Sequence, residues 1–130
     1  MQCPCKKTEL YSDCCQKIHH DIRLAKTAKE LMQSRYSAFV LAHSNYLHKS
    51  HHSKTRPNYT KERKALIDWT KSVHWVKLEI LNTSNGHEND SIGTVEFKAY
   101  YFENSSLECL HEISSFKKEN DHWVYFKKLN

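Results

Sequence analysis

Glycine and proline are scarce in this chain, two of each in 130 residues. Flexible connections draw heavily on such residues, so long disordered linkers are excluded. No apolar run approaches the ~20 residues needed to span a bilayer. The opening residues, Met1-Gln2-Cys3-Pro4-Cys5, lack the charged start and apolar centre of a secretory signal. A cytoplasmic protein without membrane contact is therefore expected, with its thiols kept reduced. Also missing are a phosphate-cradling glycine loop and a Gly-x-Ser-x-Gly nucleophile motif. Neither an internal repeat nor a low-complexity tract occurs.

What the chain does contain is aromatic bulk and uneven charge. Seven Tyr, five Phe and three Trp let a small domain bury much apolar area per residue. The length suits one domain with a real core plus a short appendage. The net charge is +5, and it is concentrated. Between His48 and Lys64 lie Lys49, Lys54, Arg56, Lys61, Arg63 and Lys64 against Glu62 alone, so this segment carries the whole excess. Such a stripe is either a solvated surface or a weak polyanion site for nucleic acid.

Residues 1–22 hold four of the five cysteines and few large apolar side chains, and read as an appendage pinned by a metal. Thr27 and Glu30 form a capping box that starts a helix running to about His43. Its stripe is Ala28, Leu31, Met32, Tyr36, Phe39 and Val40 at three-and-four spacing. Tyr46 and Leu47 open a second short helix, and Arg56-Pro57-Asn58 breaks the pattern. Lys61 to Lys71 predicts another helix, with Ala65, Leu66 and Trp69 on one side. After Ser72 the pattern becomes strand: Val73 to Leu81, Ile92 to Phe102, Leu107 to Lys117 and Trp123 to Phe126. Asn82 to Asp90 is turn-rich, including Asn85-Gly86, and further turns fall at Glu103-Asn104-Ser105-Ser106 and Asn120-Asp121. Helices followed by antiparallel strands indicate an α+β fold.

Cys3-Pro4-Cys5 and Cys14-Cys15 place four thiols within thirteen residues. In a chain without an export signal this points to a metal site rather than a disulfide frame, and zinc suits four thiolates best. The alternatives are a redox-active thiol cluster or incidental cysteines. Adjacent Cys14 and Cys15 must splay their side chains, which a helix start or an irregular turn allows. With four protein ligands the site would be closed, structural or docking in role. Cys109, alone in a strand, is expected to be a small buried apolar side chain.

The cysteine pattern resembles the SEC-C zinc motif, also found at the tail of the bacterial preprotein translocase ATPase. The remaining chain resembles the bacterial YchJ-like family. The matching stretches are residues 31–40 (Leu31 to Val40), His52-Ser53-Lys54-Thr55-Arg56-Pro57, Gly93-Thr94-Val95-Glu96-Phe97, Leu110 to Phe116 and Trp123-Val124-Tyr125. The resemblance implies a nuclear-transport-factor-two-like cone, with helices packed on a curved antiparallel sheet, over residues 23–130. It implies a zinc-binding knuckle over residues 1–22, with zinc on Cys3, Cys5, Cys14 and Cys15. The chain departs from the family at Lys6-Lys7-Thr8, where Gly-Ser-Gly is usual. No settled activity carries over.

Beyond the cysteines, four residues are candidates for a site in the cone. Arg35 lies on the apolar stripe, where a guanidinium needs a partner or a ligand. It is either half of a buried ion pair or the floor of an anion pocket, with Tyr36 beside it. Glu112, with His111, sits in an apolar strand and is either neutralised by Arg35 or poised as a base. Counting back from the Glu103–Ser106 turn sets Phe97 opposite Glu112 and turns Glu112 inward, toward Arg35. His48, His51 and His52 would share a face if helical, a weak second metal site.

Three functions follow as expectations. The first is a non-enzymatic binding or adaptor protein docking a protein partner through the zinc knuckle. The second is a small-ligand-binding or enzymatic cone pocket. The third is nucleic-acid or ribosome binding through the knuckle and the basic segment.

Overall fold

Thr27 and Glu30 act as the sequence predicts: the Glu30 amide donates to Thr27 Oγ1 at 3.1 Å. The Glu30 carboxylate reaches back one residue further than a capping box requires and accepts from the Lys26 amide at 2.8 Å. Helix α2 (Ala28–Val40) starts from this cap. The computed structural model describes residues 1–5, 8–57 and 60–130. Among the described residues the further α-helices are α1 (Cys15–His20), α3 (Ser44–Lys49) and α4 (Thr60–Ser72). Helix α2 ends earlier than expected because Ala42 enters the left-handed region at φ 54°. His43 then caps α3, accepting from the Tyr46 amide at Nδ1.

Four antiparallel strands follow as a meander in the order β1-β2-β3-β4: β1 (His74–Asn85), β2 (Ile92–Glu103), β3 (Ser106–Glu119) and β4 (His122–Lys128). The β2–β3 turn is Asn104-Ser105 and the β3–β4 turn is Asn120-Asp121. All four residues have positive φ, the conformation whose twist matches tight two-residue hairpins. The register is the one counted from the sequence, with Phe102 opposite Leu107, Ala99 opposite Leu110 and Phe97 opposite Glu112. Register shifts at Trp75/Lys77, Ile80/Asn82 and Ser115/Phe116 insert extra residues, and such bulges bend a sheet.

Both glycines are spent at one place. Gly86, at φ +79°, opens the β1–β2 connection and its carbonyl accepts from the Ala28 amide at 3.0 Å. A Cβ on Gly86 would meet the Ala28 Cβ at 2.8 Å, and one on Gly93 would lie 2.4 Å from Gly86 Cα. The turn can touch the start of α2 only because neither side chain exists.

Helix α2 is the hub. Its residues 31–38 are all buried, including Gln33, Ser34, Arg35 and Ser37, because the sheet covers one side and α1, α3 and α4 reach the others. The sheet contributes Leu78, Val95, Phe97, Ala99, Phe116, Trp123 and Val124 to the same core. Ile18 and Ile22, from the N-terminal segment, also belong to it, whereas the cysteines form a separate cluster. Two expectations fail here. Cys109 is exposed, because it alternates away from inward-facing Leu110. The buried side of α4 is rotated: Thr70 is buried, Arg63, Ile67 and Trp69 are half-buried, and Ala65 faces solvent. Among the described residues no helix is long and apolar enough to cross a membrane.

Candidate metal centre and the cavities of the cone

The cysteines converge because two local structures face each other. Gln2 bridges Leu10, and the Cys3 amide donates to the Glu9 carbonyl at 3.0 Å, so Cys3 and Cys5 lie on one arm of a small hairpin-like loop. Lys6 and Lys7, where the chain departs from the family pattern, lie outside the described residues. Cys14 precedes α1 with an irregular backbone, φ −130° and ψ −113°, and Cys15 is the first helical residue. That combination splays two adjacent thiols toward one point. All four cysteines are buried, and their sulfurs lie within 4.8 Å of one another. No disulfide links the cysteines.

A tetrahedral ion with metal–sulfur bonds of about 2.3 Å requires sulfurs about 3.8 Å apart. Cys5 and Cys14 are separated by 3.6 Å and Cys14 and Cys15 by 4.0 Å. The donor set therefore fits a four-coordinate thiolate site. Without a cation the packed thiols resist ionisation: burial, then the neighbouring Cys3 and Cys5, pushes Cys14 up to about 12. Cys15 is raised further, chiefly by its hydrogen bond with Cys5 and by burial. A bound cation reverses this order by stabilising the thiolates directly.

How this centre is fastened to the cone is barely legible in the residue pattern. His19, four residues after Cys15 on α1, is buried. Its Nε2 lies 2.8 Å from the Ser34 carbonyl and its Nδ1 2.7 Å from the Tyr11 hydroxyl. The carbonyl only accepts, so Nε2 carries the proton and Nδ1 accepts from Tyr11. Burial lowers the His19 pKa, which keeps that neutral tautomer. Cys3 Sγ lies 3.6 Å from Ser37 Oγ, one turn along α2. The only advance signal was the four-residue spacing of Cys15 and His19.

The cone holds a cavity of about 230 Å³ between α2, α4 and the sheet. Arg35, Tyr36 and Glu112 line it with the aromatic rings of Phe39, Trp69, Trp75, Phe97 and Tyr125. Burial pushes the Tyr36 phenol up to about 12. His111 is not part of it. It lies on the opposite face and pairs with Glu96 at 2.7 Å, because successive strand residues alternate sides. The expected Arg35–Glu112 pair is also not formed: no ion pair within 4.0 Å joins them, and Glu112 accepts from Ser114 Oγ at 3.2 Å. Arg35 donates from Nη1 to the Leu47 carbonyl at 3.0 Å and to Ser50 Oγ at 2.7 Å, both at the end of α3. Its guanidinium also lies 4.9 Å from the Tyr125 ring centroid. Arg35 is only 6% exposed, and burial brings its pKa down to about 10.

A second cavity, of about 120 Å³, lies between α2, α3 and α4 and shares Arg35 with the first. Arg63 enters it from α4, and among the described residues its hydrogen bonds are the long ones to Ser44 Oγ at 3.5 Å and Asn45 Oδ1 at 3.4 Å. The six basic residues of the 48–64 segment are thus not one surface. Arg63 turns inward. Arg56 donates to the His51 carbonyl at 2.9 Å and lies 3.9 Å from Glu119. Lys64 pairs with Asp68 at 2.7 Å, while Lys49, Lys54 and Lys61 are exposed. The three histidines do not share a helical face, since α3 ends at Lys49. His48 and His51 line the second cavity, and His52 faces Glu119 at 3.7 Å. Burial, then Arg35 and Arg56, pushes His51 down to about 3, and burial with Arg63 and Arg56 lowers His48. Among the described residues the four cysteines are the one group of His, Cys, Asp and Glu placed to share a metal.

This arrangement has close relatives. Residues 27–128 match the family described as YchJ, middle NTF2-like domain. The UPF0225 protein SCO1677 of Streptomyces coelicolor is 40% identical over 123 residues, 95% of this chain and 90% of that protein. The UPF0225 protein GSU1048 of Geobacter sulfurreducens is 36% identical over 123 residues, 95% and 75% of the two chains. The solution structure of RPA3114, a SEC-C motif containing protein from Rhodopseudomonas palustris, superposes with a TM-score of 0.85 at 27% identity, covering 99% of this chain and 98% of that one. The crystal structure of a SEC-C motif containing protein from Psychrobacter arcticus gives 0.77 at 31% identity, covering 98% and 80%. With its NTF2-like sheet and helices and its N-terminal cluster of four cysteines, the chain belongs to the YchJ-like family.

Proposed function

We propose that the four cysteines bind one zinc ion in a closed structural site, and that the chain is a non-enzymatic binding protein of the cytoplasm. The zinc-stapled N-terminal segment is the docking element for a protein partner, and the cone is its rigid scaffold. One observation carries this reading: four buried sulfurs, mutually within 4.8 Å, supply a complete tetrahedral set and leave no position for a substrate. Zinc suits four thiolates and brings no redox chemistry, acting there as a fixed positive charge that holds the thiolates ionised. Four reduced cysteines in turn suit the cytoplasm. The hydrogen bond from His19 Nε2 to the Ser34 carbonyl fixes the segment against α2, with Tyr11 holding the imidazole from the other side, as a docking element requires.

The cone cavity supports a second reading, a small and mainly apolar ligand held among the rings with Arg35 and Glu112 as its polar contacts. With His111 on the other face, Glu112 has no imidazole partner inside, which favours binding over turnover.

The test begins with metal analysis and X-ray absorption of the reduced full chain. About one zinc per chain with four sulfurs at about 2.3 Å is expected. Cys14→Ser should lose the metal and the order of the cysteine-bearing residues 1–15, and with them retention of a partner, while the cone, with Ile18 and Ile22 in its core, stays folded. A different metal in the site, or disulfides in place of a metal, would overturn the zinc assignment. Partner retention unaffected by Cys14→Ser would overturn the docking role.

A further inference from the structure

The cavity between α2, α3 and α4 is donor-rich and short of acceptors. Arg35 and Arg63 enter it from two helices, Ser44 and His48 line it from α3, and His51 closes it from the following loop. None of its lining residues is a carboxylate. Among the described residues neither arginine takes part in an ion pair. Lys6, Lys7, Asn58 and Tyr59, outside the described set, carry no carboxyl side chain either. Among the described residues three buried side-chain polar atoms have no hydrogen-bond partner, and two of them, Arg63 Nε and His48 Nδ1, belong to residues that line this cavity; the third, Gln33 Oε1, does not. A buried guanidinium with no ion-pair partner, as at Arg35, is unfavourable, and so is a buried donor without an acceptor, as at Arg63 Nε. One occupant resolves both.

We propose that this cavity is an oxyanion site, taking a phosphoryl group between the guanidinium groups of Arg35 and Arg63. The chemistry selects phosphate over a simple carboxylate. Two fixed positive charges match a dianion, and guanidinium groups present paired N–H donors to phosphate oxygens. The Ser44 hydroxyl and the neutral imidazoles add donors around the same point. A volume of about 120 Å³ equals roughly four waters at about 30 Å³ each, which is enough for a tetrahedral anion. Burial is the main cause of the lowered pKa values of His48 and His51, and the neighbouring arginines add to it through a positive potential that also attracts an anion. Arg35 and Leu66 also line the cone cavity, so the phosphoryl group can be free phosphate or the head of an organic phosphate whose body lies among the rings.

Titration of the full, metal-loaded chain with inorganic phosphate, followed by amide chemical shifts at an ionic strength matched with chloride, tests the proposal. The expected result is saturable binding with shifts centred on α3 and α4. Arg63→Met should weaken it by about tenfold or more, the size of one lost charge-assisted contact, with the rest of the spectrum preserved. Lys61→Met, a neighbouring surface cation, should leave the affinity unchanged. Phenyl phosphate binding at least about tenfold more tightly than phosphate would identify an organic phosphate, and equal affinity would identify the free ion. No saturable response beyond that of chloride, or equal weakening by Arg63→Met and Lys61→Met, would overturn the proposal.

Discussion

Arg35→Met is the most informative single substitution, because Arg35 is a buried cation without an ion pair. Burial brings the guanidinium from 12.5 to about 10. At about 1.4 kcal/mol per pKa unit, holding the charge inside opposes folding by about 3 kcal/mol. On the other side stand two hydrogen bonds, to the Leu47 carbonyl and Ser50 Oγ. Each is worth about 1.5 kcal/mol, the low end for a charged donor, since both acceptors are neutral. The face of Tyr125 adds about 1 kcal/mol. Met is unbranched and of similar reach. Once the arginine is gone, Ser50 Oγ, already 3.5 Å from the Leu47 carbonyl, can donate there. The terms nearly cancel, so Arg35→Met should change stability by less than about 2 kcal/mol in either direction, well below the 2–5 kcal/mol usual for truncating a core side chain. Urea denaturation of metal-loaded wild type and variant measures this, and phosphate titration of the same variant should show no binding. Destabilisation beyond about 4 kcal/mol would refute the reasoning, since Arg35 would then be a structural keystone rather than a charge kept for a ligand.

Three other outcomes are expected. Glu112→Gln should cost less than about 1 kcal/mol in thermal or urea unfolding, because its contact is Ser114 Oγ and an amide oxygen can accept in its place; a loss above about 3 kcal/mol would reveal an ion pair with Arg35. His51, held neutral by burial beside Arg35, Arg56, His48 and His52 and packed on Tyr125, has a folded pKa near 3 against an ordinary 6.5. The folded chain then binds fewer protons than the unfolded chain between those values, so this contribution is complete above pH 6.5 and is lost as pH falls toward 3. The loss should reach about 2–4 kcal/mol after solvent screening, and should vanish from the pH dependence of unfolding in His51→Gln. Ser105→Gly should stabilise the chain by about 0.5 kcal/mol, since Ser105 is held at φ 66° and Asn-Gly is the preferred pair for this turn; a lower melting temperature would show that the turn conformation is not the one described.

The legible features of the sequence were those fixed by short-range spacing. Thr27 and Glu30 stand three apart and cap a helix wherever it packs. Asn104-Ser105 sets a two-residue turn, and a period of two then fixes every partner along the hairpin, including Phe97 opposite Glu112. The four cysteines lie within thirteen residues, so little chain must be ordered to gather them. The same alternation that turns Glu112 inward makes His111 and Cys109 face outward, a consequence contained in the register.

What the tertiary structure alone decided is which inward-facing groups meet. Arg35 and Glu112 both point into the cone, yet α3 brings the Leu47 carbonyl and Ser50 to the guanidinium first, and Glu112 settles on Ser114. The end of a helix offers unpaired carbonyls to a cation, and no local pattern reveals that this helix end lies over that arginine. Arg63 belongs to a run of basic residues that reads as surface, but the rotation of α4 about its axis turns it beneath α3. His19 becomes the fastening of the metal centre only because α1 lies across Ser34. Spacing along the chain sets the face a side chain occupies. The docking of whole helices, driven by burial summed over many residues, sets its partner.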